Sequence, residues 1–440
     1  MSGMNQQAAD LLAKIKSKDF RMAVIGMGYV GLPLAVEFAR EGVSVIGIDV
    51  SQNRIDQINR GETYIGDVPG DTLKSLVDKG LIQASLPGPI LGEADAISIC
   101  VPTPLRKSKD PDISYIVSAT EEIVKYVRPG QLVVLESTTY PGTTEEIIRT
   151  RIEETGLKVG EDVFLCFSPE RVDPGNSRFN TRNTPKVVGG VTQACADLAA
   201  ALYAHAVNEV VPVAGTQTAE MVKLLENTFR SVNIGLVNEL AIMCDRLQVN
   251  VWEVIRAAAT KPFGFMPFWP GPGLGGHCIP IDPHYLSWKL KTLNYHARFI
   301  ELADEINSHM PDYVVDKVTA ALNEKKKPVN GSRVLVLGLA YKKNVSDCRE
   351  SPAIDIVEHL RKLGGDVHWC DPFAKGVFPS GEAVPEVQFD AKTLASFDCV
   401  VVATDHDLFD PAVLVENAQL IVDARNLTKN FDAPDKIRRI

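Results

Sequence analysis

No two cysteines in this chain are spaced as CxxC, no run of about 18 apolar residues occurs, and no long block of Lys/Arg or of Asp/Glu occurs. The eight cysteines (100, 166, 195, 244, 278, 348, 370 and 399) fall singly, several inside apolar runs such as Ala96-Ile97-Ser98-Ile99-Cys100-Val101. That pattern argues against a disulfide scaffold and for reduced thiols in a cytoplasmic protein. The first residues carry Asp10, Lys14, Lys16, Lys18 and Asp19 without an uninterrupted apolar core, so neither a signal peptide nor a membrane span is expected. Interleaved charges summing to −10 make a nucleic-acid backbone or an anionic membrane a poor partner. A small anionic ligand stays open, because a few local cations suffice. Fixed-period repeats and low-complexity tracts are absent as well.

What is present is ordinary globular composition, 45% hydrophobic and 23% charged, over 440 residues. That length asks for two or three cores. From Arg21 the chain reads as buried strand (Met22–Ile25), glycine turn, apolar-periodic helix ending near Arg40, and second strand (Val43–Asp49): a βαβ unit. More buried-strand patterns follow at Ala96–Val101, Leu132–Glu136, Val163–Phe167 and Lys186–Gly189, which predicts a doubly wound α/β domain over residues 1–212. From Thr216 to Val249 there is no Pro, and apolar residues recur at helical spacing. This predicts one helix of about 50 Å at ~1.5 Å per residue, long enough to bridge domains or build a homodimer, within a helical region over 213–328. After the Lys325-Lys326-Lys327-Pro328 linker, strand patterns at Arg333–Gly338, Asp366–Cys370, Cys399–Ala403 and Leu420–Asp423 predict a second Rossmann-like domain over 329–440.

Gly26-Met27-Gly28-Tyr29-Val30-Gly31 stands between strand and helix, and Asp49 closes the next strand. In that context GxGxxG is a dinucleotide signature. Gly26 permits the tight turn, Gly28 lets a pyrophosphate reach the backbone at the helix N-terminus, and Gly31 lets helix and strand pack. Asp49 would accept from a ribose 2′-hydroxyl and repel a 2′-phosphate, favouring NAD over NADP. The second domain opens Val334-Leu335-Val336-Leu337-Gly338-Leu339-Ala340-Tyr341-Lys342-Lys343, without the second and third glycines, and is not expected to bind a dinucleotide in that way. Lys342, Lys343 and Arg349 there are suited to phosphate or sugar oxygens, or form a solvated charged loop.

Glu220, Lys223 and Asn227 share one face of the long helix, a polar stripe of the kind that usually faces solvent. The Pro/Gly-rich segment from Lys261 to Pro283 is expected to be a loop that approaches something closely. Within it, Gly275-Gly276-His277-Cys278 followed by Asp282 presents a thiol in the manner nucleophilic catalysis needs, although a lone cysteine is more often inert. His277, Cys278, Asp282 and His284 form a rival zinc set, but their spacing matches no familiar ligand pattern.

Taken together, GMGYVG with Asp49, Val101-Pro102-Thr103-Pro104, Glu136-Ser137-Thr138-Thr139, Ser168-Pro169-Glu170-Arg171, Lys223 with Asn227, GGHCIPID and the Lys342–Arg349 segment resemble the UDP-glucose/GDP-mannose dehydrogenase family, in the same order and over nearly the whole chain. The stretches Trp269–Pro283 and Ser168–Gly175 look most like its UDP-N-acetylglucosamine 6-dehydrogenases, which supply surface-polysaccharide precursors. Where UDP-glucose dehydrogenases commonly carry Lys this chain has Ile281, and near Lys261-Pro262-Phe263 it lacks an Arg those enzymes supply to a neighbouring subunit. Both departures point away from glucose.

The resemblance implies oxidation of a UDP-N-acetylhexosamine at C6 from alcohol to acid, with two NAD in succession, one water and no metal. It implies Cys278 as the nucleophile that forms a thiohemiacetal and then a thioester. Lys223 and Asn227 would stabilise the oxyanion, Asp282 would handle protons with Lys223, and Thr138 and Glu170 would act in thioester hydrolysis. Cofactor contacts would come from Gly26, Gly28, Tyr29, Val30, Gly31, Asp49, Arg54, Pro102, Thr103 and Thr138. Substrate contacts would come from Glu170, Arg171, Lys223, Asn227, Gly275, Lys342 and Arg349.

Overall fold

The computed structural model describes residues 4–66, 68–106, 110–173, 176, 178–276, 278–376, 378–381 and 383–440. His277 of the zinc alternative, and Pro174 and Gly175 of the SPERVDPG stretch, lie outside these residues. Contact density divides the chain into two units, residues 1–226 with 284–294, and residues 227–283 with 295–440.

The first unit is built on β1 (Arg21–Ile25), β2 (Ser44–Ile48), β3 (Ile82–Ser85), β4 (Ala96–Ile99), β5 (Leu132–Leu135), β6 (Phe164–Phe167), β7 (Lys186–Gly190) and β8 (Val210–Val213). They form one sheet in the order β3-β2-β1-β4-β5-β6-β7-β8. Neighbours run parallel except β6 and β7, which are antiparallel. Strand periodicity explains why the runs are apolar throughout. Met22 and Val24 of β1, with Leu132 and Val134 of β5, enter one core, while Ala23, Ile25, Val133 and Leu135 enter the core on the opposite face. Burial on both faces is what a doubly wound sheet requires. The order reverses between β1 and β4, so the crevice beyond their carboxyl ends is the switch point at which such sheets bind ligands.

The second unit repeats the plan with β9 (Arg333–Leu337), β10 (Asp366–Cys370), β11 (Cys399–Val402), β12 (Ile421–Asp423) and β13 (Ile437–Arg439), ordered β10-β9-β11-β12-β13 and wholly parallel. Again alternate residues part: Val334, Val336, Cys399 and Val401 go to one core, and Leu335, Leu337, Val400 and Val402 to the other. The expected α/β architecture with two Rossmann-like sheets and a long intervening helix is therefore present.

That helix spans Thr216–Arg246. It stops three residues before the expected Val249, because Gln248 turns to φ +57° and Asn250 caps the following helix, Val251–Ala258, by accepting from the N–H groups of Trp252 and Glu253. The strands at Ile82–Ser85, Val210–Val213 and Ile437–Arg439 escape the sequence reading; they are three or four residues long, and one contains Pro212. No helix among the described residues is long and apolar enough to cross a membrane.

Candidate active site

At the end of β1, Gly26 takes φ +92° and donates its N–H to Ile48 O at 2.7 Å; a Cβ there would lie 2.6 Å from Cys100 O. A Cβ on Gly31 would lie 2.0 Å from Gly26 O, so the packing of the helix Gly31–Arg40 onto the turn demands that glycine too. Gly28 differs: a Cβ there would meet nothing within 4 Å. Its bareness serves no contact within the protein and leaves the helix N-terminus open to an approaching phosphate. Tyr29 is exposed in the same turn, and Val30 precedes the helix.

Asp49 is 5% exposed. Its Oδ2 accepts from Met27 N at 3.0 Å, its Oδ1 from Ser51 N at 2.9 Å, and Arg54 Nη1 approaches Oδ2 at 3.4 Å. The carboxylate is thus tied to the glycine turn, and its remaining lone pairs suit a ribose hydroxyl. Tyr64, unsuspected from the sequence, donates its hydroxyl to Met27 O, with the Arg54 guanidinium 5.8 Å from its ring. Beyond β4, Thr103 O accepts from the buried Tyr285 hydroxyl at 2.9 Å, while Pro102 is exposed. An open glycine, a helix N-terminus and an oriented acid at the switch point fit NAD.

The loop after β5 carries Thr138, 9% exposed, whose Oγ1 accepts from Lys223 Nζ at 2.5 Å; Lys223 is 8% exposed. Glu220, one turn earlier, is not a solvent-facing member of the stripe. It is 1% exposed and accepts from Gly142 N at 2.6 Å, Thr144 N at 2.9 Å and Thr144 Oγ1 at 2.7 Å, so it fastens the long helix to the segment following Thr138. Burial raises its carboxyl above the ordinary range.

Glu170 follows β6, and its Oε1 accepts from the N–H groups of Arg171 at 2.9 Å and Val172 at 2.7 Å. Its Oε2 accepts from Lys186 Nζ at 3.2 Å. Lys186 also reaches Glu136 Oε2 at 2.5 Å, and Glu136 Oε1 in turn accepts from the Tyr203 hydroxyl at 2.6 Å and from Ser98. Burial alone would raise the Glu170 carboxyl, but Lys186 and the Val172 N–H hold it below the ordinary value. Arg171 is committed to protein partners, pairing with Glu226 at 2.6 Å and donating to Pro185 O at 2.7 Å. Sequence reasoning missed Lys186. The one available signal was a lysine opening an otherwise apolar strand.

In the second unit, Asn227 Nδ2 donates to Asp282 Oδ2 at 2.6 Å. Asp282 is 2% exposed and begins the helix Asp282–Lys291, and its N–H bonds to Cys278 O at 2.8 Å. Cys278 and Cys348 are the two thiols of intermediate exposure; the other six are buried. The loop before Cys278 needs its glycines, because a Cβ on Gly275 would sit 2.4 Å from Tyr341 Cβ and one on Gly276 2.9 Å from the Tyr341 ring. Gly276 N–H also bonds to Arg349 O at 3.0 Å.

Arg349 is exposed and forked onto Asp347, with Nη2 at 2.7 Å from Oδ2. Lys342 stands in the same segment, while Lys343 pairs with Asp407 at 2.6 Å. Where Asp49 stands in the first sheet, Asp371 stands in the second, but its oxygens accept from Leu339 N, Ala340 N, Phe373 N, Ala374 N and His406 Nε2. That acid is saturated by the protein itself, a physical reason for the second sheet not to repeat dinucleotide binding. No group of three or more His, Cys, Asp or Glu among the described residues is arranged to hold a metal.

Comparison with known proteins adds an independent finding. Three models of the UDP-glucose/GDP-mannose dehydrogenase family match: its NAD binding domain at residues 20–207, its central domain at 217–309 and its UDP binding domain at 335–430. The chain is 39% identical over 394 residues to a UDP-N-acetyl-D-mannosamine dehydrogenase of Methanococcus maripaludis, covering 88% of this chain and 87% of that one. It is 35% identical over 402 residues to a UDP-N-acetyl-D-glucosamine 6-dehydrogenase of Pseudomonas aeruginosa, covering 89% and 92%. Among solved structures, a UDP-D-ManNAc dehydrogenase from Pyrococcus horikoshii superposes with a TM-score of 0.87 at 35% identity, over 96% of this chain and 99% of that one.

Proposed function

Because the chain belongs to the UDP-glucose/GDP-mannose dehydrogenase family and is an NAD-dependent UDP-sugar dehydrogenase, we propose that it oxidises a UDP-N-acetylhexosamine at C6 from the alcohol to the carboxylic acid. NAD, held at Gly26, Gly28, Gly31 and Asp49, supplies the hydride acceptor. The observation that most supports this reading is the pinning of the Cys278 loop, through Gly275 and Gly276, onto the Tyr341–Arg349 segment. That segment offers Lys342 and Arg349 to the nucleotide half of the substrate.

An aldehyde gives up no hydride until a nucleophile has added to it, so the Cys278 thiolate attacks C6 and makes a thiohemiacetal. Oxidation of that adduct leaves a thioester on Cys278. Lys223 and Asn227 donate to the oxygen on C6 as its charge develops, and Asp282 holds Asn227 oriented. Water then cleaves the thioester with help from Glu170 and Thr138, freeing the acid and the thiol.

For the hexose, the Trp269–Pro283 stretch and Ile281 favour UDP-N-acetylglucosamine. The names of the Methanococcus and Pyrococcus relatives favour UDP-N-acetylmannosamine as a second reading. NADH production across a panel of UDP-hexoses tests both, and faster turnover of UDP-glucose than of any N-acetylhexosamine overturns the substrate class. The division of labour is residues 1–212 for NAD, 213–328 for catalysis and dimerisation, and 329–440 for UDP.

Leu225, Phe229, Leu236, Met243 and Leu247 form an exposed apolar stripe on the long helix and its end, which supports a homodimer. Light scattering at twice the 48.0 kDa chain mass is the expected result. Cysteines that fall singly, without a CxxC, and the product's place in surface-polysaccharide supply support a cytoplasmic enzyme.

A further inference from the structure

Lys186 is 4% exposed and Glu136 1%, and the pair sits at the carboxyl end of β5 beside the start of β7. Burying an ion pair is a poor route to stability, since an apolar pair of similar volume is often neutral or better. Here the pair is joined to a third charge, Glu170, whose side chain keeps 12% exposure while those of Lys186 and Glu136 keep 5% and 0%. Glu170 is therefore the end of the cluster that water can reach.

We propose that Lys186 is a positioning residue for the hydrolytic half-reaction: anchored by Glu136, it keeps the Glu170 carboxylate ionised and aimed, so that Glu170 can take a proton from the water that cleaves the Cys278 thioester. This rests on the role given to Glu170 above. In the step, water oxygen bonds to the thioester carbonyl carbon, the C–S bond breaks, and its electron pair leaves on Cys278 Sγ. One water proton goes to Glu170 and the other departs with the product acid, so nothing is oxidised or reduced.

The charged and titratable groups around Glu170 are Lys186, Lys223, Glu136 and the Cys100 thiol, with the Arg171–Glu226 pair adjoining. Burial pushes the Cys100 thiol and the Tyr203 hydroxyl well up, so both stay neutral, and the two lysines are the cations that, with the Val172 N–H, oppose the cost of ionising a buried acid. Removing Lys186 leaves Glu170 to the effect of burial, and its carboxyl rises.

The single change Lys186→Met would strand Glu136 as an unpaired buried charge, so the test uses Lys186→Met with Glu136→Gln, which removes the pair together and leaves Tyr203 and Ser98 an amide oxygen to donate to. Single-turnover hydrolysis is followed from pH 5.5 to 8.5 by mass spectrometry of the Cys278 peptide, beside wild type, Lys186→Arg and Glu170→Gln. The expected result in the double variant is a new acidic limb shifted up by at least one pH unit, with acyl-enzyme accumulating about tenfold at pH 6. The burst of the earlier oxidation should be retained. Lys186→Arg, which keeps the charge, should show no such limb. Accumulation in Glu170→Gln together with a wild-type profile in the double variant overturns this proposal alone. Wild-type hydrolysis in Glu170→Gln overturns both the role of Glu170 and the proposal.

Discussion

Asn227 donates its side-chain amide to the buried Asp282 carboxylate at 2.6 Å, and the Asp282 N–H holds the Cys278 carbonyl at 2.8 Å. One short chain of hydrogen bonds thus runs from the long helix to the backbone of the proposed nucleophile. Asn227→Ala removes a proposed oxyanion donor and leaves Asp282 short of a partner. We expect kcat to fall about 100-fold and stability by about 1–3 kcal/mol, read from initial rates and chemical denaturation. A rate within twofold of wild type would remove Asn227 from the chemistry.

Cofactor choice is predicted to rest on Asp49. Replacing it with Asn keeps the volume but not the charge-assisted acceptor, so the KM for NAD should rise about tenfold. With the carboxylate gone, Arg54 no longer has its 3.4 Å partner, and discrimination against NADP should narrow in the same titrations. Equal use of NAD and NADP by the wild-type enzyme contradicts the assignment.

Arg349 is expected to serve the UDP end of the substrate. Arg349→Ala should raise the KM for the UDP-sugar at least about tenfold, the loss of one charge-assisted contact, and leave the KM for NAD within twofold. The reverse pattern would exchange the roles of the two sheets.

Asp371 gives a pH prediction for stability. Burial alone would raise its carboxyl, but His406 and the N–H groups of Ala340, Phe373 and Ala374 lower it from 3.8 to about 2. A depressed carboxyl contributes stability above its ordinary value, and the contribution fades as pH falls from about 4 through 2. The shift corresponds to about 2 kcal/mol at neutral pH. Asp371→Asn should therefore cost that much at pH 7 and much less near pH 2.5, compared by denaturant titration. A penalty that does not vary with pH would deny Asp371 this role.

The two α/β alternations were legible because strands buried on both faces leave unbroken apolar runs, as at Leu132–Leu135 and Val334–Leu337, and because a glycine turn punctuates the first of them. Asp49 stood out for a local reason as well, since it closes the strand that follows the glycine turn to which its carboxylate is tied. The cluster behind Glu170 was not, since Lys186 lies 16 positions further along the sequence, and Lys186 and Tyr203 meet Glu136 across 50 and 67 positions only when β5 and β7 are laid into one sheet. The burial of Glu220 was not legible, because helical spacing tells which residues share a face and not what covers it. Cys278 stood out only through its glycines, and those prove to be required by contact with Tyr341 as well.

The central claim is that one active-site thiol carries the substrate through two oxidations. It is tested most directly by counting NADH formed per UDP-N-acetylhexosamine consumed, with mass spectrometry of the quenched Cys278 peptide and Cys278→Ala run in parallel. The account predicts two NADH per substrate, a substrate-derived mass on Cys278, and an alanine variant that cannot oxidise supplied aldehyde. One NADH per substrate, or full turnover by Cys278→Ala, would contradict it.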